Sequence, residues 1–401
     1  MKSFRQELQT ALDERKRSAL FRRRRTLFSP QGTEVILDGE HVVSFCSNDY
    51  LGLADHPDVV EAFHQGLNKF GAGSGASHLV SGHLAPHAAL EQELAEFTGR
   101  SSALVFSSGY MANVGVLTTL LDSNDVVLED RLNHASLLDG GLFSGARFKR
   151  FAHLDTTALE KKLSSIHDAR RKLVVADGVF SMDGEIAPLP ELIRVTNNHN
   201  GLLMIDDAHG IGVLGKNGGG TIAHWQEQGA NIDEENLQIL IGTFGKALGA
   251  SGAFVAGGEE LIETLIQFCR PYIYTTAISP AQAEAIRASL KIIQKDNWRR
   301  QYLVQLISRF RAHCEDLGLT MIPSSTPIQA VVIGDVSKTI QASEQLMQEG
   351  VFVSAIRPPT VPAGTARLRV TFSALHTEAQ FQKLLDVFEK YAHSWVTDVS
   401  E

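Results

Sequence analysis

Three short apolar runs of this chain end in residues that could do chemistry. Behind ALVF stand Ser107, Ser108, Gly109 and Tyr110, behind LLMI stand Asp206, Asp207 and His209, and behind QILIG stand Thr243, Gly245 and Lys246. Ligands of open α/β sheets gather at the carboxyl ends of strands, so such positions are where a site is expected. The Ser-Ser-Gly-Tyr segment opens the helical stretch YMANVGVLTTLL, whose first free N–H groups suit a phosphate. Alone, it reads equally well as a plain helix cap. Lys246 lies in a Gly-flanked turn among apolar residues, where desolvation lowers an ammonium pKa and leaves the neutral amine that forms an imine with an aldehyde. Taken singly it could as well cap a turn. Asp206 changes the balance, because a carboxylate can pair with a protonated pyridine nitrogen and make the ring an electron sink. An amine for an aldehyde, a carboxylate for a pyridinium and a cradle for a phosphate together point to pyridoxal 5'-phosphate (PLP).

Two other patterns mimic sites. GAGSGA at 71–76 imitates a dinucleotide fingerprint, but it follows the helical stretch VVEAFHQGLNKF and not a strand, so the mechanical basis of that motif is missing. Asp206, Asp207 and His209 could ligate a metal, yet no second cluster at ligand spacing accompanies them, and no metal is expected. Lys and Arg total 37 against 46 Asp and Glu, so the net charge of -9 leaves no footprint for nucleic acid. Cys46, Cys269 and Cys314 are widely spaced and form no CxxC pair, which suggests neither a disulfide framework nor a zinc site. No apolar leader or membrane span is visible, and a cytoplasmic location fits.

The elements that must position these groups follow from the same runs. Residues 1 to about 20 read as an amphipathic helix ending at Arg22, Arg23, Arg24 and Arg25, and VILDGEHVVSF as a hairpin turning at Asp38-Gly39. From 46 to 285, seven apolar runs (ALVFSSG, DVVLED, RFKRF, KLVVADG, LLMIDDAHG, QILIGTF and GAFVAGG) alternate with helical stretches. That pattern predicts an α/β domain with a mostly parallel seven-stranded sheet covered on both faces. After Pro280 long helical stretches lead to three spaced strands, PIQAVVIGD, VFVSAI and ARLRVTF, and a last helix. The expected division is a leading segment over 1–45, a large cofactor-binding domain over 46–285 and a smaller α+β C-terminal domain over 286–401. With no long linker between them, the domains are expected to build a site where they meet.

Ordered motifs along nearly the whole chain resemble the α-oxoamine synthases, fold-type I PLP-dependent transferases that condense an amino acid with an acyl thioester and lose CO2. The resemblance rests on SNDYLGL at 47–53, GSGASHLVSG at 73–82, FSSGYMAN at 106–113, NHASLLDG at 133–140, GVFSMDGEIAPL at 178–189, DDAHGIGVLG at 206–215, TFGKALG at 243–249 and RPPTVPAGTARLR at 357–369. The last of these, with the GVFSMDG form, resembles the branch of the family that joins L-alanine to a pimeloyl thioester, carried on coenzyme A or on acyl carrier protein, in biotin biosynthesis. Sister enzymes take glycine with acetyl-CoA or succinyl-CoA. A non-catalytic protein of the same fold would be expected to lack Lys246 or Asp206, and both are present.

The resemblance implies that Lys246 is the Schiff-base lysine, Asp206 the partner of the pyridine nitrogen and His209 a hydrogen-bond donor to the phenolic oxygen. It places His134 against the pyridine face, Gly109 and Tyr110 at the phosphate-side helix start, and Ser181 and Thr243 among the polar cofactor contacts. Arg357 would hold the amino-acid carboxylate with Asn48 beside it. Thr360 would face the acyl group, and Arg22 aligns with a substrate-contacting arginine. Thr275 and Thr276 correspond to a segment that reaches the phosphate in the neighbouring subunit, which implies a homodimer with shared active sites. His78 departs from the pattern, since many relatives carry Arg there.

Overall fold

The computed structural model describes residues 3–18 and 20–395. Residues 1, 2 and 19 of the expected leading helix and the last six residues of the chain lie outside them. The leading helix spans Phe4–Arg17, where Ser3 accepts the Gln6 N–H and the Gln6 side chain accepts the Ser3 N–H in return. Strands β1 (Glu34–Leu37) and β2 (Glu40–Ser44) form the expected hairpin. Asp38 and Gly39 both take positive φ, 52° and 97°, so the two-residue turn has the twist that antiparallel strands favour.

Each of the seven apolar runs forms a strand. In chain order these are β3 (Ser102–Phe106), β4 (Val126–Asp130), β5 (Arg147–Phe151), β6 (Lys172–Asp177), β7 (Leu202–Asp206), β8 (Ile239–Thr243) and β9 (Ala253–Gly257). They build one sheet in the order β3-β9-β8-β7-β6-β4-β5, parallel throughout except for β9, which pairs antiparallel with both neighbours. Burial on both faces explains why the runs are continuously apolar, without alternation: β4, β6 and β7 are almost wholly buried. One hydrophobic cluster covers each face, and the larger continues into the C-terminal part.

The C-terminal strands are β10 (Thr320–Met321), β11 (Ile328–Gly334), β12 (Val351–Phe352), β13 (Ser354–Ile356) and β14 (Ala366–Thr371). The run VFVSAI is thus split at Val353. Its first half pairs with β2, extending the N-terminal hairpin, and its second half joins the sheet β10-β11-β14-β13. The two ends of the chain therefore share a sheet. A second difference concerns the helix Pro280–Lys295, which crosses position 285 and packs against the helix Pro57–Phe70. A Cβ added at Gly66 would meet the Ala281 backbone at 2.6 Å, so this approach requires glycine. Among the described residues no helix is long and apolar enough to cross a membrane.

Candidate active site

The carboxyl ends of β6, β7 and β8 lie side by side, and the turns behind them converge with the start of the helix Gly109–Leu120 on one pocket. Gly109, Tyr110, His134, Ser181, Asp206, His209, Thr243 and Lys246 all line it, so eight of the expected residues meet in one place. Ser108 caps the helix by accepting the Met111 N–H, and a Cβ built on Gly109 would meet nothing closer than the Thr243 hydroxyl at 4.0 Å. That leaves the Gly109 and Tyr110 N–H groups open to an anion. The Thr243 hydroxyl donates to the Gly252 carbonyl at 2.9 Å, tying the lysine turn to β9.

Lys246 is surrounded by opposing influences. Burial pulls its pKa down to about 8, against the attraction of Asp206 and Asp177 and with help from Arg369. A substantial neutral fraction is therefore present near neutrality. Asp206 accepts the Ala208 N–H at 3.0 Å on one oxygen and the Asn113 amide at 2.7 Å on the other. Asp177, its register partner on β6, has its pKa raised well above the usual carboxylate range by burial and by Asp206 itself. It accepts the His134 N–H at 2.9 Å.

His134 precedes the helix Ala135–Phe143, and its Nδ1 lies 2.7 Å from the Ser136 hydroxyl, which fixes the ring at the mouth of the pocket. Burial lowers its pKa, opposed by Asp206. His209 is driven well below the usual histidine range by burial and then by Lys246 and Arg369, so it is neutral. Its Nδ1 lies 2.7 Å from the Tyr50 hydroxyl. Burial pushes the Tyr50 phenol up to about 12, so this partner keeps its proton.

The remaining expected residues are distributed differently. Arg22, His134 and Thr360 line a second, wider cavity of about 640 Å³, and His134 and Ser181 belong to both spaces. Arg357 is half-buried in the loop before β14 and lines neither, although its carbonyl accepts the Thr360 N–H at 3.1 Å. The guanidinium that reaches Asn48 is that of Arg369, at 3.2 Å, and it also donates to the Ser181 carbonyl at 2.7 Å. Thr275 and Thr276 lie outside the pocket, where Thr276 bridges to Ser77.

Tyr50, Asn113, Ser136, Asp177 and Arg369 were not singled out from the sequence, although all but Asp177 stand inside motifs that were. Asn113 lies one helical turn beyond Gly109, a spacing that would have flagged it as facing the same pocket. Two clusters with metal-ligand atoms within 4.8 Å of one another were also missed: His78, His83 and His87, and His153, Asp183 and Glu185. In the first, His87 is engaged on both nitrogens, by the Leu84 N–H and the Ile278 carbonyl, while His78 stacks on Tyr272. In the second, His153 donates to Asp130 and Glu185, both at 2.9 Å. Burial alone would lower its pKa, but the two carboxylates hold it at about 9.

The donor set fits PLP: a depressed lysine amine for the aldehyde, a buried carboxylate with both oxygens fixed for the ring nitrogen, and an open helix start with Thr243 for the phosphate. Residues 40–388 match the family model described as aminotransferase class I and II. The chain is similar in structure to serine palmitoyltransferase of Sphingomonas wittichii, with a TM-score of 0.92, 29% identity and coverage of 98% of this chain and 99% of that one. Fold and site together define a fold-type I PLP-dependent transferase. An 8-amino-7-oxononanoate synthase of Cellvibrio japonicus (strain Ueda107) is 55% identical over 389 residues, covering 97% of this chain and 96% of the relative. One of Pseudomonas syringae pv. syringae (strain B728a) is 54% identical over 385 residues, covering 96% and 95%. The crystal structure of the Francisella tularensis 8-amino-7-oxononanoate synthase superposes with a TM-score of 0.76 at 31% identity, covering 88% of this chain and 98% of that one. The chain belongs to the 8-amino-7-oxononanoate synthase family.

Proposed function

We propose that this chain catalyses the PLP-dependent condensation of L-alanine with a pimeloyl thioester, releasing CO2 and the thiol carrier and forming 8-amino-7-oxononanoate for biotin biosynthesis. The observation that carries this reading is that His134 and Ser181 line both the lysine pocket and the wider cavity, which sets the two spaces side by side. An amino acid held beside Lys246 thus meets an acyl chain that enters from the other side.

PLP supplies an electron sink for the bonds at the amino acid's Cα. The rest falls to residues of this chain. Lys246 anchors the cofactor and, once displaced by the substrate amine, removes the Cα proton with its neutral Nζ. Asp206 holds the proton on the ring nitrogen, and Asn113 and the Ala208 N–H keep its two oxygens in place for that task. For His209 Nε2 to donate to the ring oxygen, its Nδ1 must accept the Tyr50 hydroxyl 2.7 Å away, in competition with Asn48 Oδ1 at 3.1 Å. The helix start at Gly109 and Tyr110, with Thr243, would receive the phosphate, and His134 would stand against the cofactor ring. Arg369 and Asn48 receive the substrate carboxylate, with Arg357 entering from the loop beside Thr360. As the new bond from Cα to the acyl carbonyl forms, the C–S bond breaks and the carrier leaves as the free thiol; the carboxylate then leaves as CO2, and Lys246 would return a proton to Cα.

A homodimer belongs to the same reading. Leu79, Val80, Phe268 and Tyr274 expose large apolar side chains around the segment that carries Thr275 and Thr276, and a covering subunit would bury them. The same reading divides the chain at 45 and at 285, where the helix Pro280–Lys295 carries the large domain into the C-terminal part, with the acyl site where those two meet.

The test is to load the protein with PLP, supply L-alanine with pimeloyl-CoA or pimeloyl-acyl carrier protein, and follow 8-amino-7-oxononanoate by mass spectrometry alongside thiol release. Product is expected with alanine and the pimeloyl donor. Thiol release with glycine and acetyl-CoA or succinyl-CoA, and none with the pimeloyl pair, would replace this reading by that of a sister synthase.

A further inference from the structure

The wider cavity carries a charge imbalance that the chemistry at Lys246 does not use. Its walls include Leu132, Leu138, Phe180 and Met182, which suit a methylene chain. Among the same lining residues stand three arginines, Arg22, Arg131 and Arg150, all solvent-facing. The one carboxylate in the lining, Asp183, is already bonded to the buried Arg367 and offers them nothing. Arg150 influences buried Glu129, whose carboxyl burial pushes up to about 7, so that neutralisation is incomplete near neutral pH. Arg22, Arg131 and Arg150 make no ion pair among the described residues.

The backbone sets two of these cations. Arg131 follows the last residue of β4, Arg150 is the fourth residue of its parallel neighbour β5, and a guanidinium nitrogen of Arg150 donates to the Arg131 carbonyl. They are held together at the carboxyl end of the sheet, the end at which His134 stands. Three guanidiniums without a full countercharge beside apolar walls are a poor environment for a hydrocarbon end and a good one for an anion, which accepts hydrogen bonds from a planar fork on two oxygens.

We propose that Arg131 and Arg150, with Arg22, bind the carboxylate at the far end of a dicarboxylic acyl group, so that the cavity selects acyl thioesters with a charged tail over their methyl-ended counterparts. This rests on the reading above and adds the residues that set acyl selectivity.

The comparison that tests it is pimeloyl-CoA against heptanoyl-CoA, equal in chain length and carrier and differing only at the tail, each with L-alanine. The PLP-loaded enzyme is expected to prefer pimeloyl-CoA in kcat/KM by roughly 30-fold, and the double variant Arg131→Gln/Arg150→Gln to retain a preference of only about threefold, the loss falling on KM for pimeloyl-CoA. Unchanged PLP uptake by the variant separates this result from misfolding. An equal loss on both thioesters overturns the proposal, because the arginines then read the phosphates of the carrier. Equal use of both thioesters by the unaltered enzyme overturns it too, and leaves the condensation reading standing. No product from either thioester with alanine overturns that reading and this inference with it.

Discussion

The pocket around Lys246 and the cavity beyond His134 are built on opposite principles. In the first, the charged groups answer one another: Lys246 faces Asp206, which has a hydrogen-bond donor on each oxygen. The second is walled largely by apolar side chains, and its three solvent-facing arginines form no ion pair among the described residues, Arg150 acting only on the partly protonated carboxyl of buried Glu129. A compensated network fixes a lysine and a carboxylate within hydrogen-bond tolerances, which bond-making at one carbon requires. An uncompensated, open cavity is a place where a substrate supplies the missing charge. The difference teaches where substitutions should be severe and where they should be graded: changes in the first space act on kcat, changes in the second on KM and on the choice of thioester.

The largest effect should come from Lys246→Ala. It removes both the cofactor anchor and the base, and kcat is expected to fall by at least about 1000-fold with an unchanged far-ultraviolet circular dichroism spectrum. Asp206→Asn keeps the shape and loses the charge opposite the ring nitrogen, so kcat should fall by roughly 100-fold while KM for the thioester stays within about twofold. Steady-state kinetics with alanine and pimeloyl-CoA reads both. Between the spaces stands the carboxylate clamp. Arg369→Lys should raise KM for alanine by roughly 30-fold and Arg357→Lys by about threefold, since only Arg369 reaches Asn48 and the Ser181 carbonyl. A reversed order would move the carboxylate to Arg357 and its loop.

A smaller effect follows from the protonation of Lys246. Because burial lowers its pKa to about 8, the neutral amine grows about tenfold per pH unit below that value and saturates above it. The rate at which PLP-free protein takes up PLP at fixed concentration, followed by absorbance, should rise in that way from pH 6 to about 8 and then level off. A rate still climbing to pH 10 would mean that Asp206 and Asp177 outweigh burial.

Much of the first space was legible in the sequence because a parallel strand buried on both faces shows itself as a continuous apolar run, and its carboxyl end is where the polar residues begin. All seven runs became strands of one sheet, and Gly109, Asp206, His209, Thr243 and Lys246 met in one pocket. What escaped depends on register and on contacts between distant segments. Arg369 reaches Asn48 only because β14 lies beside β11 and β13 and carries the side chain across to the loop holding Ser181. Arg357, at the other end of the same RPPTVPAGTARLR motif, lies in the loop before that strand and lines neither space. The split of VFVSAI at Val353 follows from the demand of two sheets on one run, and the pairing of Arg131 with Arg150 from the parallel register of β4 and β5. None of these relations leaves a local mark in the sequence.

The most direct test of the central claim, that Lys246 both anchors the cofactor and moves the Cα proton, is the exchange of alanine's Cα hydrogen with D2O by PLP-loaded protein in the absence of any acyl donor. Nuclear magnetic resonance should show deuterium entering at Cα with the unaltered chain and no exchange above background with Lys246→Ala loaded with PLP. Equal exchange by the two proteins would contradict the account and hand the proton to another residue of the pocket.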